Sequence, residues 1–124
     1  MEEICKKCPN ITSLSLYGCW NLKDPKIKLK NMKEINLSRC EVISTNELES
    51  IINSHFETLE LINIAYCRNA TQKIISLISQ KCFNLKSVDF SSLNIKGESI
   101  EPLFLNSKNI EYLNFSVSFQ LKSL

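Results

Sequence analysis

Lys81-Cys82-Phe83-Asn84-Leu85-Lys86-Ser87-Val88-Asp89-Phe90 has a counterpart 74 positions upstream, Lys7-Cys8-Pro9-Asn10-Ile11-Thr12-Ser13-Leu14-Ser15-Leu16. Both read Lys-Cys-x-Asn, an aliphatic residue, any residue, Ser, an aliphatic residue, any residue, and a large apolar residue. A separation of 74 is about three periods of 25, so copies should lie between them. They do. The skeleton begins at Ile11, Leu14 and Leu16, returns as Met32, Ile35 and Leu37, and again as Leu59, Ile62 and Ile64. Leu85, Val88 and Phe90 form the fourth copy, and Ile110, Leu113 and Phe115 the fifth. Successive starts are 21, 27, 26 and 25 residues apart.

The alternating apolar pair in each copy predicts a short strand with one buried face. One such strand cannot bury that face alone, so each must stack beside its neighbour. Helical signals follow. Ser44-Thr45-Asn46-Glu47 has the form of a capping box, before Leu48, Ile51, Ile52 and Phe56 at helical spacing. Thr71 is placed to cap a helix presenting Ile74, Ile75, Ile78 and Cys82 inward. Gly97 and Pro102 predict a short or irregular helix around Glu98–Leu105. The Trp20–Asn31 connection, with Asp24-Pro25, predicts no full helix.

The LxxLxL pattern, with Cys19, Cys40 and Cys67 three residues beyond it, resembles the leucine-rich repeat family. The cysteines are those of the subclass found in F-box/LRR proteins, although Leu93 and Ser118 stand at that position in the last two copies. The resemblance implies an α/β solenoid over residues 1–124, with repeats starting near Ile11, Met32, Leu59, Leu85 and Ile110. Its form would be a short right-handed horseshoe segment, strands concave and helices or irregular turns convex. Cys19, Cys40 and Cys67 are then expected to be reduced core residues where the chain leaves each strand, with Cys8 and Cys82 as buried helix-end equivalents. Cys5 is undetermined. The lone Cys5-Lys6-Lys7-Cys8 lacks a second ligand pair for zinc and the strand that precedes a redox site, so no metal or cofactor is expected.

Composition narrows the function. Fifteen basic and thirteen acidic residues leave a formal charge of +2 without a basic block, so no nucleic-acid or anionic-membrane partner is expected. No apolar run approaches the roughly 18 residues that span a bilayer. Met1-Glu2-Glu3 is unlike a secretory signal, which points to the cytoplasm or nucleus. His55, the only histidine, is expected on the solvent side of its helix, and no catalytic motif occurs. A non-enzymatic protein-binding module is therefore expected.

Function should sit at strand positions free of core duty. One outward column reads Ser15, Asn36, Asn63, Asp89 and Asn114, polar throughout. Tyr17, Trp20, Arg39, Tyr66 and Arg68 cluster toward the strand ends, and such residue types dominate binding hot spots. The competing reading is ordinary solvated loop ends, with Trp20 packing over a terminal repeat.

The family resemblance implies a substrate-binding repeat region of a ubiquitin-ligase receptor. The alternatives are a stand-alone scaffold or, from a different class, a GTPase-activating accessory role. Ile4–Asn10 reads as the closing turn of an earlier repeat. Phe115, Phe119, Leu121 and Leu124 are apolar where a polar cap would be expected, which suggests a fragment of a longer array or end-to-end association.

Overall fold

The computed structural model describes residues 2–117, in which five strands and four helices follow one another along the chain. Helix α1 (Glu2–Lys7) precedes β1 (Ser13–Ser15) and β2 (Glu34–Asn36). Then come α2 (Thr45–His55), β3 (Leu61–Asn63), α3 (Gln72–Lys81), β4 (Ser87–Asp89), α4 (Gly97–Asn106) and β5 (Tyr112–Asn114). All neighbouring strands pair in parallel, in the spatial order β1-β2-β3-β4-β5. The chain is thus α/β with an all-parallel sheet. Ser118, Phe119, Leu121 and Leu124 lie outside the described residues.

The register follows the sequence copies. Leu14 pairs with Ile35, Ile35 with Ile62, Ile62 with Val88 and Val88 with Leu113. Three-residue strands suffice because main-chain bonding continues beyond both ends. The carbonyl of Thr12 accepts from both Lys33 N–H and Glu34 N–H, at 2.7 and 3.0 Å. The carbonyls of Lys33, Glu60 and Lys86 serve their next strands in the same way. Past the strands, Leu16 N–H donates to Asn36 O and Gly18 N–H to Ser38 O, a pattern that also recurs.

Apolar burial drives the assembly. Ile35, Ile62 and Val88 stand in the middle of the sheet with at most 1% exposure, flanked by Leu37, Ile64 and Phe90 in the buried core. Each such side chain contributes roughly 1.5–3 kcal/mol when fully buried. Burial falls at the sheet edges: Leu14 is half-buried and Leu113 exposed. At the strand starts, Lys33, Glu60, Lys86 and Glu111 form a row of alternating charge. Glu60 pairs with Lys86 at 3.0 Å and with Lys33 at 4.0 Å. The hydrogen bond from Lys86 and its charge hold the Glu60 carboxyl below its ordinary pKa.

Helix α2 begins at Ser44, whose hydroxyl accepts from Glu47 N–H at 3.1 Å. Only half of the expected capping box is present, because the Glu47 carboxylate instead accepts from Lys26 N–H at 2.8 Å. Leu48, Ile51 and Ile52 are buried as their spacing requires, and Phe56 is half-buried against the core. Thr71 occupies the cap position of α3 without a side-chain cap bond, and Ile74, Ile75, Ile78 and Cys82 are buried.

Two expectations need correction. The helix expected to be short or irregular, α4, runs ten residues with Pro102 inside it. Burial of Ser99, Ile100 and Leu103 outweighs the one backbone bond that Pro102 cannot donate, and Ser99 Oγ donates to Gln72 Oε1 at 2.8 Å. His55, expected on the solvent side, is 2% exposed. It lies seven residues after Leu48 and four after Ile51, on the apolar face, so helical spacing alone placed it inward. Residues 20–31 contain no helix, as expected.

Candidate protein-binding edge

The outward polar column is first of all a set of turns. Asn36 Oδ1 accepts from Ser38 N–H at 2.9 Å, and Asn63 Oδ1 from Ala65 N–H at 3.0 Å. Asp89 and Asn114 accept from Ser91 and Ser116 N–H, each at 2.9 Å. In the first strand Ser15 Oγ takes the same place more weakly, accepting from Tyr17 N–H at 3.4 Å. A short side-chain oxygen two residues before a turn satisfies an amide that the strand leaves open. The column therefore shapes the strand ends, and one oxygen of each Asn and Asp is already engaged.

Those turns force the next residues into the left-handed region. Gly18, Arg39, Tyr66, Ser92 and Val117 have φ of 72, 62, 62, 59 and 59°. Glycine adopts this conformation freely, whereas another residue pays roughly 1–2 kcal/mol. Gly18, Arg39, Tyr66 and Ser92 are each held by a cross-strand bond, such as Arg39 N–H to Ala65 O at 2.9 Å and Tyr66 N–H to Ser91 O at 3.2 Å.

Cysteine follows directly. Cys40 Sγ donates to Leu16 O and Cys67 Sγ to Leu37 O, each at 3.0 Å, so each thiol reaches back to the preceding strand's last apolar residue. Burial pushes the Cys40 thiol pKa up, and those of Cys67 and Cys82 up to about 12. The expectation of five buried cysteines holds for these three alone. Cys19 is half-buried and Cys8 exposed. Cys19 follows the edge strand β1, which has no described strand before it to supply a carbonyl, and Cys8 ends a helix of only six residues.

Of the five expected patch residues, three come together. The Arg39 guanidinium lies 4.0 Å from the centre of the Tyr66 ring. Arg68 pairs with Glu41 at 3.5 Å. Tyr66, Arg68 and Glu41 line one open groove of about 630 Å³, whose lining also includes Gln72, Ser92 and Asn94. Gln72 ties this part of the lining together, because its amide donates to Asn94 O while its Oε1 accepts from Lys96 N–H at 3.1 Å. Tyr17 and Trp20 stand 61% and 69% exposed, and no hydrogen bond or ring contact among the described residues joins them to the groove. Trp20 holds the register position of Glu41 one copy earlier, so it extends the same edge rather than packing over it.

The sequence reading missed Glu41 and Gln72. Glu41 directly follows Cys40 as Arg68 follows Cys67, so aligning the copies would have set the opposite charges side by side. Among the described residues no group of three or more His, Cys, Asp or Glu could hold a metal ion, and no helix is long and apolar enough to cross a membrane. No family model matches the chain.

Proposed function

We propose that this chain is a segment of a leucine-rich repeat solenoid whose strand-end edge binds a partner protein, a binding role and not a catalytic one. The parallel sheet with its copies in register supports the architecture, strands lining the concave side of a curved stack. One observation carries the binding assignment. Arg39 and Tyr66 hold large exposed side chains at backbone positions where glycine would be unstrained, and the two side chains stack on each other beside a groove. Core packing gives no reason for either. A preformed aromatic and guanidinium surface supplies contact area at low entropic cost on binding.

Within this reading, the resemblance to F-box/LRR proteins makes the partner a substrate presented for ubiquitination. The test is photocrosslinking in cells from a probe residue introduced at Asn94. A species captured by the parent and lost in Tyr66→Ala/Arg68→Ala, at unchanged thermal midpoint, supports the edge. Ubiquitin chains on that species that depend on this protein support the ligase role. Equal capture by the double variant overturns the site.

A further inference from the structure

The helix layer has a gap where residues 20–31 form no helix, and the chain crosses it as a ribbon whose burial alternates residue by residue from 25 to 30. Ile27 and Leu29 point into the core with 3% and 4% exposure, while Lys26, Lys28 and Lys30 are exposed. Two depressions of about 410 Å³ each flank the ribbon and share Cys5 and Lys28, so they form one trough. Its walls are α1, through Cys5 and Lys6, and α2, through Ser50 and Ser54.

Charge in this trough is one-sided. Lys6, Lys26, Lys28 and Lys30 form no ion pair among the described residues, although Lys33, Lys73 and Lys86 elsewhere do. The trough's own acid, Glu47, is engaged by Lys26 N–H at 2.8 Å. The backbone supplies a second, independent signal. Leu29 N–H is bonded to His55, yet neither the N–H nor the C=O of Lys28 or Lys30 has a hydrogen-bond partner among the described residues. An extended backbone with open donors and acceptors is an edge awaiting a strand.

We propose that this trough binds an extended acidic peptide, which pairs its main chain with Lys28 and Lys30 and sets alternate carboxylates against the lysines. Side chains on one face of an extended chain recur about every 6.5–7 Å, which matches Lys28 and Lys30 to acids two peptide residues apart, while Lys26, whose φ of 54° departs from extended backbone, adds charge beside them. The open amides favour a peptide over a nucleic acid, since only another amide backbone offers both donors and acceptors at that spacing. The stretch Lys26–Lys30 also carries no aromatic or arginine side chain on which bases could stack. This surface is independent of the strand-end edge, and either assignment can fail without the other.

The probe is a fluorescein-labelled peptide of four Glu-Thr repeats, titrated at low salt. Comparators are its Gln-Thr counterpart, a version N-methylated at both its glutamate and its threonine amides, an eight-residue oligothymidylate and phosphatidylserine vesicles. Saturable binding of the Glu-Thr peptide is expected, with shifts of the Lys28 and Lys30 amide resonances. The affinity should fall roughly tenfold in Lys28→Gln/Lys30→Gln, with each lysine contributing a modest screened interaction. Tyr66→Ala should leave it unchanged, and N-methylation should weaken it at least as much as the lysine changes. Absent saturation, equal binding of the Gln-Thr or N-methylated peptide, or tighter binding of the oligonucleotide or vesicles would each overturn the proposal.

Discussion

The N–H of Leu29 donates to Nε2 of His55 at 3.0 Å, tying the extended ribbon to helix α2 across 26 residues. Nδ1 of the same ring lies 2.6 Å from Ile51 O, an acceptor only. The two contacts together require a neutral ring carrying its proton on Nδ1. Burial pushes the His55 pKa below its ordinary value. A depressed pKa in the folded state means stability that is fully present above about pH 6.5 and lost as pH falls through the folded value. Protonated Nε2 would confront the Leu29 N–H with a second donor.

The thermal midpoint should therefore fall as pH drops from about 6.5 toward 5, before the carboxylates titrate. His55→Gln should be less stable by roughly 1–3 kcal/mol at pH 7.5, because a buried amide loses a well-placed acceptor. That variant should be flat across the same interval. A parent midpoint unchanged between pH 7.5 and 5 would contradict the neutral ring.

Thiol reactivity should split the cysteines evenly. Cys40, Cys67 and Cys82 are buried with raised pKa values, so a thiol reagent under native conditions should label them only as the protein opens. Cys5, Cys8 and Cys19 should react fast. Mass spectrometry of timed samples reads this directly, and fast labelling of Cys67 would contradict its bond to Leu37 O.

Asn63→Ala should cost about 1 kcal/mol in urea unfolding, because it removes the acceptor for Ala65 N–H. Asn63→Asp should be tolerated, since Asp89 performs the same task one strand along. Equal stability of Asn63→Ala and the parent would show the turn bond to be dispensable.

How legible the molecule was in its sequence differed by kind of contact. Strand register was legible because alternating apolar residues such as Ile62 and Ile64 report a local period, and segments that share an apolar skeleton align on it. The patch was half legible. Residue type singled out Arg39, Tyr66 and Arg68, but Tyr17 and Trp20 share their type without sharing the groove. Contacts carried by long polar side chains across copies escaped. Gln72 bridging to Asn94, Lys96 and Ser99 depends on loop shape, which no period encodes. The exposure of Cys8 and the partial exposure of Cys19 escaped for a different reason. A sequence copy is equivalent to its fellows only where a neighbour stands on both sides.

Ile62→Asp should abolish the cooperative melt. Ile62 is 1% exposed between Ile35 and Val88, and a carboxylate there would lose its water with no partner. A cooperative transition near the parent's midpoint would refute the register.

Ser92→Gly should raise stability by about 0.5 kcal/mol in urea unfolding. Relief of the left-handed strain at φ 59° exceeds the extra freedom glycine gains in the unfolded chain. Loss of stability would show that the Ser92 side chain contributes more than its backbone strain costs.

The row of Lys33, Glu60, Lys86 and Glu111 has a consequence for how such a chain can grow or shrink. Excising the single copy that carries Glu60 would set Lys33 beside Lys86 and turn an attractive contact into a repulsive one. Excising two consecutive copies preserves the alternation of sign. From β2 to β5 the main-chain bonding recurs at every strand, whereas the sign of the charge recurs at every second one. Between Lys33 and Glu111, the internal block that can be lost without setting like charges side by side is a pair of strands.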